Sequence, residues 1–82
     1  SMVAQGVEAA LERFYREHPH APRPVVAVMG CMVNGPGEAK EADIALAGGK
    51  GKFALYVKGS LQSTVEEASA IDAVMGQVKK WM

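Results

Sequence analysis

The sequence predicts an α/β fold in which a small mixed sheet packs, in two layers, against helices from both chain ends. Three observations lead to this prediction. Apolar residues recur at helical spacing near both termini, a short β-branched run follows the first helix, and an apolar segment alternates in the second half. At 82 residues the chain is long enough for one domain, which we assign to residues 1–82.

The N-terminal helix is predicted over residues 3–17. It should end before His18-Pro19, because a residue that precedes proline avoids the helical backbone region. Three prolines then make His18–Pro24 a connecting loop. We interpret Ser1 and Met2 as residues left by cloning. The apolar face of the helix comprises Val3, Val7, Ala10, Leu11 and Phe14.

The first two strands are predicted from continuous apolar runs. Val25–Met29 is typical of a strand that is buried on both faces. Gly30–Gly37 is predicted as a loop, and Glu38–Ala42 as one or two helical turns. Asp43–Ala47 is the second predicted strand. The connection of about 13 residues suffices for a parallel crossover, which should be right-handed.

The third strand is predicted by alternation rather than by a continuous run. Gly48–Gly51 forms a turn, and we expect residues 53–58 to form a half-buried strand antiparallel to the second. Gly48–Lys52 lacks the Walker pattern of a phosphate loop, so a hairpin turn is the prediction. Lys58–Ser60 turns again into a short piece near Leu61.

A C-terminal helix completes the predicted fold. Thr64–Glu67 matches a capping box, in which the Thr hydroxyl and the Glu carboxylate satisfy free backbone N–H groups. Lys79 and Lys80 lie in the last turn, where cations favour the helix dipole. The predicted apolar face comprises Ala68, Ile71, Val74, Met75, Val78 and Trp81.

Composition excludes several classes of function. Nine basic residues offset nine acidic ones, so no polybasic surface for nucleic acid or an anionic membrane is expected. The apolar runs are too short to span a bilayer, and no basic start precedes an apolar stretch as in a secretory signal. The single cysteine, Cys31, cannot form an internal disulfide. We therefore expect a reducing, cytoplasmic setting.

The segment from residue 29 to residue 38 carries the candidate chemistry. Cys31 follows a buried strand, where ligand sites of α/β sheets usually lie. Gly30, Gly35 and Gly37 permit tight turns that can bring the Glu38 carboxylate back toward the thiol. The pair resembles half of a metal site. Two alternatives remain open: a buried cysteine beside a structural turn, and a nucleophilic thiol on a loop rich in backbone donors.

A longer pattern resembles a known family. Val26–Cys31, Val33–Ala39, Glu41–Ile44 and Ala47–Gly51 follow, in order, a motif of the C-terminal iron–sulfur domain of 4-hydroxy-3-methylbut-2-enyl diphosphate synthases. The close similarity covers about 25 residues. The flanking helices and hairpin fit the same domain loosely. An ordered run of uncommon residue types is far more specific than a lone glycine-rich loop.

The resemblance implies an oxidoreductase of the non-mevalonate isoprenoid pathway. Such enzymes convert 2-C-methyl-D-erythritol 2,4-cyclodiphosphate to 4-hydroxy-3-methylbut-2-enyl diphosphate, with electrons delivered by a [4Fe-4S] cluster. The implied fold is the sulfite-reductase-like iron–sulfur domain. The implied partners are an N-terminal TIM barrel, a second subunit of a homodimer, and ferredoxin or flavodoxin as electron donor. The implied location is the bacterial cytoplasm, or the plastid stroma in a plant or alga.

The resemblance also assigns roles to three residues and exposes one departure. Cys31 corresponds to the family's third cysteine ligand, Glu38 to its unusual carboxylate ligand, and Asn34 to the asparagine beside cluster and substrate. The family's other two cysteines form an upstream Cys-x-x-Cys, which this sequence lacks. We expect the isolated 82-residue chain to be metal-free and inactive. The alternative is a freestanding binding module that has lost the cluster site.

Overall fold

The computed structural model describes residues 2–30 and 40–82. Short turns and one longer connection join the elements, and no helix in the described part combines the length and hydropathy needed to cross a membrane. The described elements are α1 (Met2–Glu17), β1 (Val26–Met29), β2 (Ile44–Gly49), β3 (Lys52–Val57), β4 (Ser60–Glu66), a 3-10 turn (Glu67–Ser69) and α2 (Ala70–Lys79).

The four strands form one mixed sheet in the order β1-β2-β3-β4. β1 runs parallel to β2, with Val26 opposite Ile44, whereas the two later pairings are antiparallel. This arrangement confirms the predicted α/β class and the antiparallel hairpin after the second strand. The handedness predicted for the β1–β2 connection concerns residues 31–39, which lie outside the described residues.

Both helices pack on the same face of the sheet. Ile44 and Leu46 of β2 are fully buried there, together with Phe53 and Leu55 of β3. The helical periodicity predicted most of the contacting residues correctly, although Ala68 is exposed and Leu11, Ile71 and Trp81 are half-buried. The helix residues buried in this core are Val3, Val7, Ala10 and Phe14 of α1 and Ala70, Val74, Met75 and Val78 of α2.

The opposite face of the sheet carries small side chains. Ala45, Ala47 and Ala54 are buried there beside Tyr56. Because this second cluster includes no residue from α1 or α2, the described helices do not cover it. The prediction that β3 is half-buried was therefore wrong: Ala54 and Tyr56, which alternate with Phe53 and Leu55, are also buried.

The largest correction concerns the residues before the last helix. The predicted short piece near Leu61 is a seven-residue edge strand, β4, that pairs with β3 along its length. Thr64 lies within this strand and cannot act as a helix cap. The helix begins at Ala70 after a 3-10 turn, and its N-cap residue Ser69 makes no capping hydrogen bond through its side chain.

A second correction concerns the predicted helical turns at Glu38–Ala42. Residues 40–42 form a turn and a bend instead of a helix, and residues 38–39 lie outside the described residues. Most of the predicted loop Gly30–Gly37 also lies outside them. The first strand begins one residue later than expected, at Val26, and the second extends through Gly49. The prediction that the first strand is buried on both faces was wrong, because β1 lies at the edge of the sheet and its four residues are half-buried.

Two turns of the same sequence bracket β3. Lys50 and Gly51 join β2 to β3, and Lys58 and Gly59 join β3 to β4. All four residues have positive φ, with values of 33° and 77° in the first turn and 52° and 81° in the second. Consecutive positive φ angles are typical of the tight turns that match strand twist, and glycine adopts them without steric cost.

The burial of Leu46 predicts that truncating this leucine destabilises the fold far more than truncating the exposed Leu61 does. Leu46→Ala should lower the free energy of unfolding by about 2–5 kcal/mol, because it opens a cavity between the sheet and both helices. The matched control is Leu61→Ala on β4, where the leucine is 61% exposed, and it should change stability by less than about 0.5 kcal/mol. Urea denaturation followed by circular dichroism measures both values. Equal losses would contradict the described packing.

Candidate functional site

The three residues that the sequence assigns to the site are Cys31, Asn34 and Glu38. All lie within residues 31–39, outside the described part of the chain. The structure does describe Gly30 and Lys40, the residues on either side of this segment. The setting of the candidate site is therefore described through Gly30, Lys40 and the elements that hold these two residues.

The first end lies at the carboxyl edge of the parallel strand pair. β1 and β2 run in the same direction, and Met29 is paired with Ala47, so Gly30 continues beyond the sheet beside Gly48. A Cβ atom placed on Gly48 would lie 3.5 Å from the carbonyl oxygen of Gly30. This edge is where ligands usually bind in open α/β sheets, which agrees with the position inferred for Cys31 from the sequence.

The second end lies at the opposite edge of the sheet. Lys40 packs against the β3–β4 turn, since a Cβ placed on Gly59 would lie 3.4 Å from its Cα and Cγ atoms. That turn is next to the beginning of β2, because Val57 is paired with Ile44. The chain therefore leaves the sheet at the carboxyl end of β1 and returns to it at the amino end of β2, which lies at the opposite end of the parallel pair.

Asp43 fixes the return of the chain. Its carboxylate accepts a hydrogen bond of 2.7 Å from the backbone N–H of Val25, and its own N–H donates to the carbonyl of Val25 at 2.9 Å. Its carbonyl also accepts from the N–H of Lys58 at 2.8 Å. One residue thus connects the start of β1, the start of β2 and the end of β3. This role of Asp43 was not predicted from the sequence, because its side-chain partner lies 18 positions away.

The described residues contain no alternative metal centre. No group of three or more His, Cys, Asp or Glu side chains among residues 2–30 and 40–82 is close enough to hold an ion. His18 stacks on Phe14, with ring centroids 4.5 Å apart, and its Nδ1 lies 3.1 Å from the Phe14 carbonyl. His18 therefore anchors the end of α1.

A groove of about 560 Å³ lies along the outer side of α1. Its centre is Tyr15, whose hydroxyl donates to the carbonyl of Pro22 at 3.2 Å and whose ring lies 4.3 Å from the Arg23 guanidinium. Partial burial raises the pKa of Tyr15 above its usual value, and the Arg23 charge opposes that shift. These contacts tie the proline-rich loop to α1.

Comparison with known proteins gives a match over nearly the whole chain. A family model described as the GcpE protein C-terminal domain matches residues 2–80. The match includes α1, the full sheet, α2 and the segment that carries Cys31 and Glu38.

Curated relatives are similar at about half of the compared positions. A protein of Thermodesulfovibrio yellowstonii is 54% identical over 55 residues, which cover 67% of this chain and 16% of the relative. A protein of Acidothermus cellulolyticus is 40% identical over 79 residues, which cover 95% of this chain and 18% of the relative. Both carry the name 4-hydroxy-3-methylbut-2-en-1-yl diphosphate synthase (flavodoxin). The chain thus spans less than a fifth of these relatives' length.

The hydrogen bonds between Asp43 and Val25 predict how much Asp43 contributes to the free energy of unfolding. Asp43→Ala should lower the free energy of unfolding by about 1–2 kcal/mol, because the Val25 N–H loses a charged acceptor. Asp43→Asn keeps an acceptor oxygen and should lose less than half as much. Glu41→Ala, on the neighbouring exposed carboxylate, is the matched control and should change stability by less than about 0.5 kcal/mol. Urea unfolding measures all three. A stability of Asp43→Ala equal to that of the parent chain would contradict this role.

Proposed function

The chain belongs to the GcpE protein C-terminal domain family, and we propose that it serves as the cluster-binding domain of a 4-hydroxy-3-methylbut-2-enyl diphosphate synthase. The match over residues 2–80 is the observation that carries this proposal. The names of the relatives support the activity, which belongs to a much longer protein. In the proposed reaction, 2-C-methyl-D-erythritol 2,4-cyclodiphosphate takes up two electrons and two protons, its ring opens and one water is released.

Cys31 and Glu38 are the proposed iron ligands, and Asn34 is the proposed residue beside cluster and substrate. Their place in the family motif supports these roles. The position of Gly30 at the carboxyl edge of the β1–β2 pair also supports them, because Cys31 follows it directly. A carboxylate oxygen is a hard donor on a soft, sulfide-rich centre, so Glu38 should bind iron more weakly than a thiolate does.

The donor set of this chain does not hold a [4Fe-4S] cluster by itself. Such clusters are normally bound by four thiolates, and the sequence contains one cysteine. With the Glu38 carboxylate, the chain supplies two of the four ligands that are needed. The proposal therefore requires two thiolates from outside these 82 residues. In the complete enzyme the cluster would supply the electrons for ring opening.

The proposed partners follow from the family and from the relatives' names. The name of the relatives indicates flavodoxin as their electron donor, and we extend that donor to this protein. An N-terminal barrel domain and a second subunit, both implied by the resemblance, complete the proposed enzyme. The bacterial sources of the relatives and the reduced thiol that a cluster ligand requires support a cytoplasmic setting.

One observation favours a second candidate, a freestanding module without cluster chemistry. This observation is the single cysteine, because a protein with no further thiolates would bind no cluster. The reading frame upstream of this sequence distinguishes the candidates. A Cys-x-x-Cys preceded by a barrel-length region supports the synthase, whereas its absence supports the module.

The incomplete ligand set predicts that the 82-residue chain alone is colourless. After anaerobic incubation with ferrous iron and sulfide, the desalted chain should lack the broad brown absorbance of a cluster and retain far less than one iron per chain. The same treatment of a chain extended through the upstream cysteine pair should produce that absorbance. A stable brown 82-residue chain would contradict the proposed ligand count.

The weak carboxylate ligand predicts a separation between cluster binding and turnover. In the intact enzyme, Glu38→Cys should keep the cluster, as measured by iron content and absorbance, but lose at least about tenfold in kcat. Cys31→Ala should lose the cluster itself. Glu12→Ala, which removes an exposed carboxylate of α1 outside the motif, is the matched control and should keep both properties. Full turnover by Glu38→Cys with its cluster intact would show that the carboxylate is not required.

A further inference from the structure

The sheet edge opposite Gly30 carries a group of lysines around an aromatic ring. We name this group the lysine surface; it consists of Lys40, Lys58, Lys79, Lys80 and Trp81. The four lysine side chains are exposed, and Trp81 is half-buried. The Nζ atom of Lys58 lies 5.9 Å from the centroid of the Trp81 ring. Lys40 packs against Gly59, the residue that follows Lys58.

The fold brings these residues together from three separate segments. Lys58 belongs to the β3–β4 turn, Lys40 to the chain that returns to β2, and Trp81 follows the end of α2. The turn geometry holds Lys58 at a φ of 52°. The backbone N–H of Trp81 donates to the carbonyl of Val78 at 3.0 Å, which continues the helical turn beneath the ring.

Among the residues that the structure describes, no lysine of this surface takes part in an ion pair. Within the described part of the chain, the ion pair found joins Lys52 to Glu66 at the other edge of the sheet, at 3.7 Å. The acidic residues at the lysine edge are Glu17, Glu41 and Asp43, and the carboxylate of Asp43 is bound by the N–H of Val25. Among the described residues at this end of the sheet, the lysines therefore outnumber the carboxylates.

Helix stabilisation explains only part of this distribution. Lys79 and Lys80 lie at the C-terminus of α2, where cations interact favourably with the helix dipole. Lys40 and Lys58 lie on turns and have no such role. Within the described part of the chain neither lysine is paired with a carboxylate, so both are open to an anionic partner.

We propose that the lysine surface is the docking site for the carboxylate-rich face of the flavodoxin that reduces this protein. This inference rests on the function proposed above. Electron-transfer complexes bury small areas and are steered by complementary charge, so a few lysines around one aromatic ring are a sufficient contact. Each docked flavodoxin hydroquinone gives up one electron and becomes a semiquinone, so two docking events supply the two electrons of one turnover.

The covalent chain links this surface to the proposed cluster ligand. Lys40 follows Glu38 by two residues, and an extended chain spans at most about 3.6 Å per residue. The Cα atoms of these two residues are therefore within about 7 Å of each other. A donor seated on Lys40 lies close to the iron that Glu38 is proposed to bind, as direct electron transfer requires.

The two Lys-Gly turns provide a matched test in the intact enzyme. Lys58→Glu reverses a charge on the lysine surface, and Lys50→Glu makes the same change in the equivalent turn at the opposite edge of the sheet. With reduced flavodoxin as donor, Lys58→Glu and Lys40→Glu should each raise KM for flavodoxin about tenfold. Lys50→Glu should change it less than about twofold. The flavodoxin KM of the parent enzyme should rise with salt, whereas that of Lys58→Glu should rise far less.

A small-molecule reductant separates docking from chemistry. With reduced methyl viologen, Lys58→Glu should keep the kcat of the parent enzyme, because this donor needs no protein surface. Lys58→Gln, which removes the charge without reversing it, should raise KM for flavodoxin about threefold. This variant replaces Lys58→Glu in the test if the glutamate variant folds poorly.

The outcomes distinguish the two proposals. An intact parent enzyme that turns over with neither donor refutes the proposed function itself. A parent enzyme that turns over with both donors, but whose flavodoxin KM is the same in Lys58→Glu, Lys58→Gln and Lys50→Glu, refutes the docking surface and leaves the function standing.

Discussion

The parallel pairing of β1 with β2 is the constraint on which the remaining structure depends. A tight turn cannot join parallel strands, because the chain must first travel back along the strand it has just completed. Gly30 and Lys40 consequently lie at opposite edges of the sheet, and the motif-bearing segment is attached at both. Asp43 holds the returning chain against the first residues of β1 and the last of β3. Every later strand is added by a short turn, so no other connection in the described sheet joins its two edges.

Much of the fold was predictable because burial follows periodicity. The helical spacing of α1 and the apolar runs of β1 and β2 each correspond to an observed element. β4 was not predicted at full length, because Ser60–Glu66 is an exposed strand held by pairing with β3 rather than by an apolar pattern. The same polar residues include a Thr and a Glu at capping-box spacing, which favoured the wrong helix start. The burial of Ala54 and Tyr56 was not predicted either, because a small and an amphipathic side chain do not indicate a second buried face of the sheet.

The residues of the candidate site remain predictions from the sequence, whereas part of their setting is described by the structure. Cys31, Asn34 and Glu38 were identified from their spacing in a family motif, and the family match now includes that segment. Their attachment to the sheet follows from the parallel pair, which the length of the connection already indicated. The side-chain bond from Asp43 to Val25 was not predictable, because it joins residues 18 positions apart that only the completed sheet brings together. The lysine surface was missed for the same reason, since its members come from three segments of a chain with no net charge.

The arrangement of strands also has a consequence for the order in which the domain assembles. β2, β3 and β4 form a meander of tight turns whose contacts are local in sequence, and local contacts form fastest. β1 joins only by closing the longer connection to β2, and α1 contacts α2 across nearly the entire chain. β1 is also a four-residue edge strand whose residues are all half-buried, and it is held through β2 and through the hydrogen bonds between Val25 and Asp43. We infer that β1, the strand that precedes Cys31 in the sequence, is added late in folding, after the locally built meander of β2, β3 and β4.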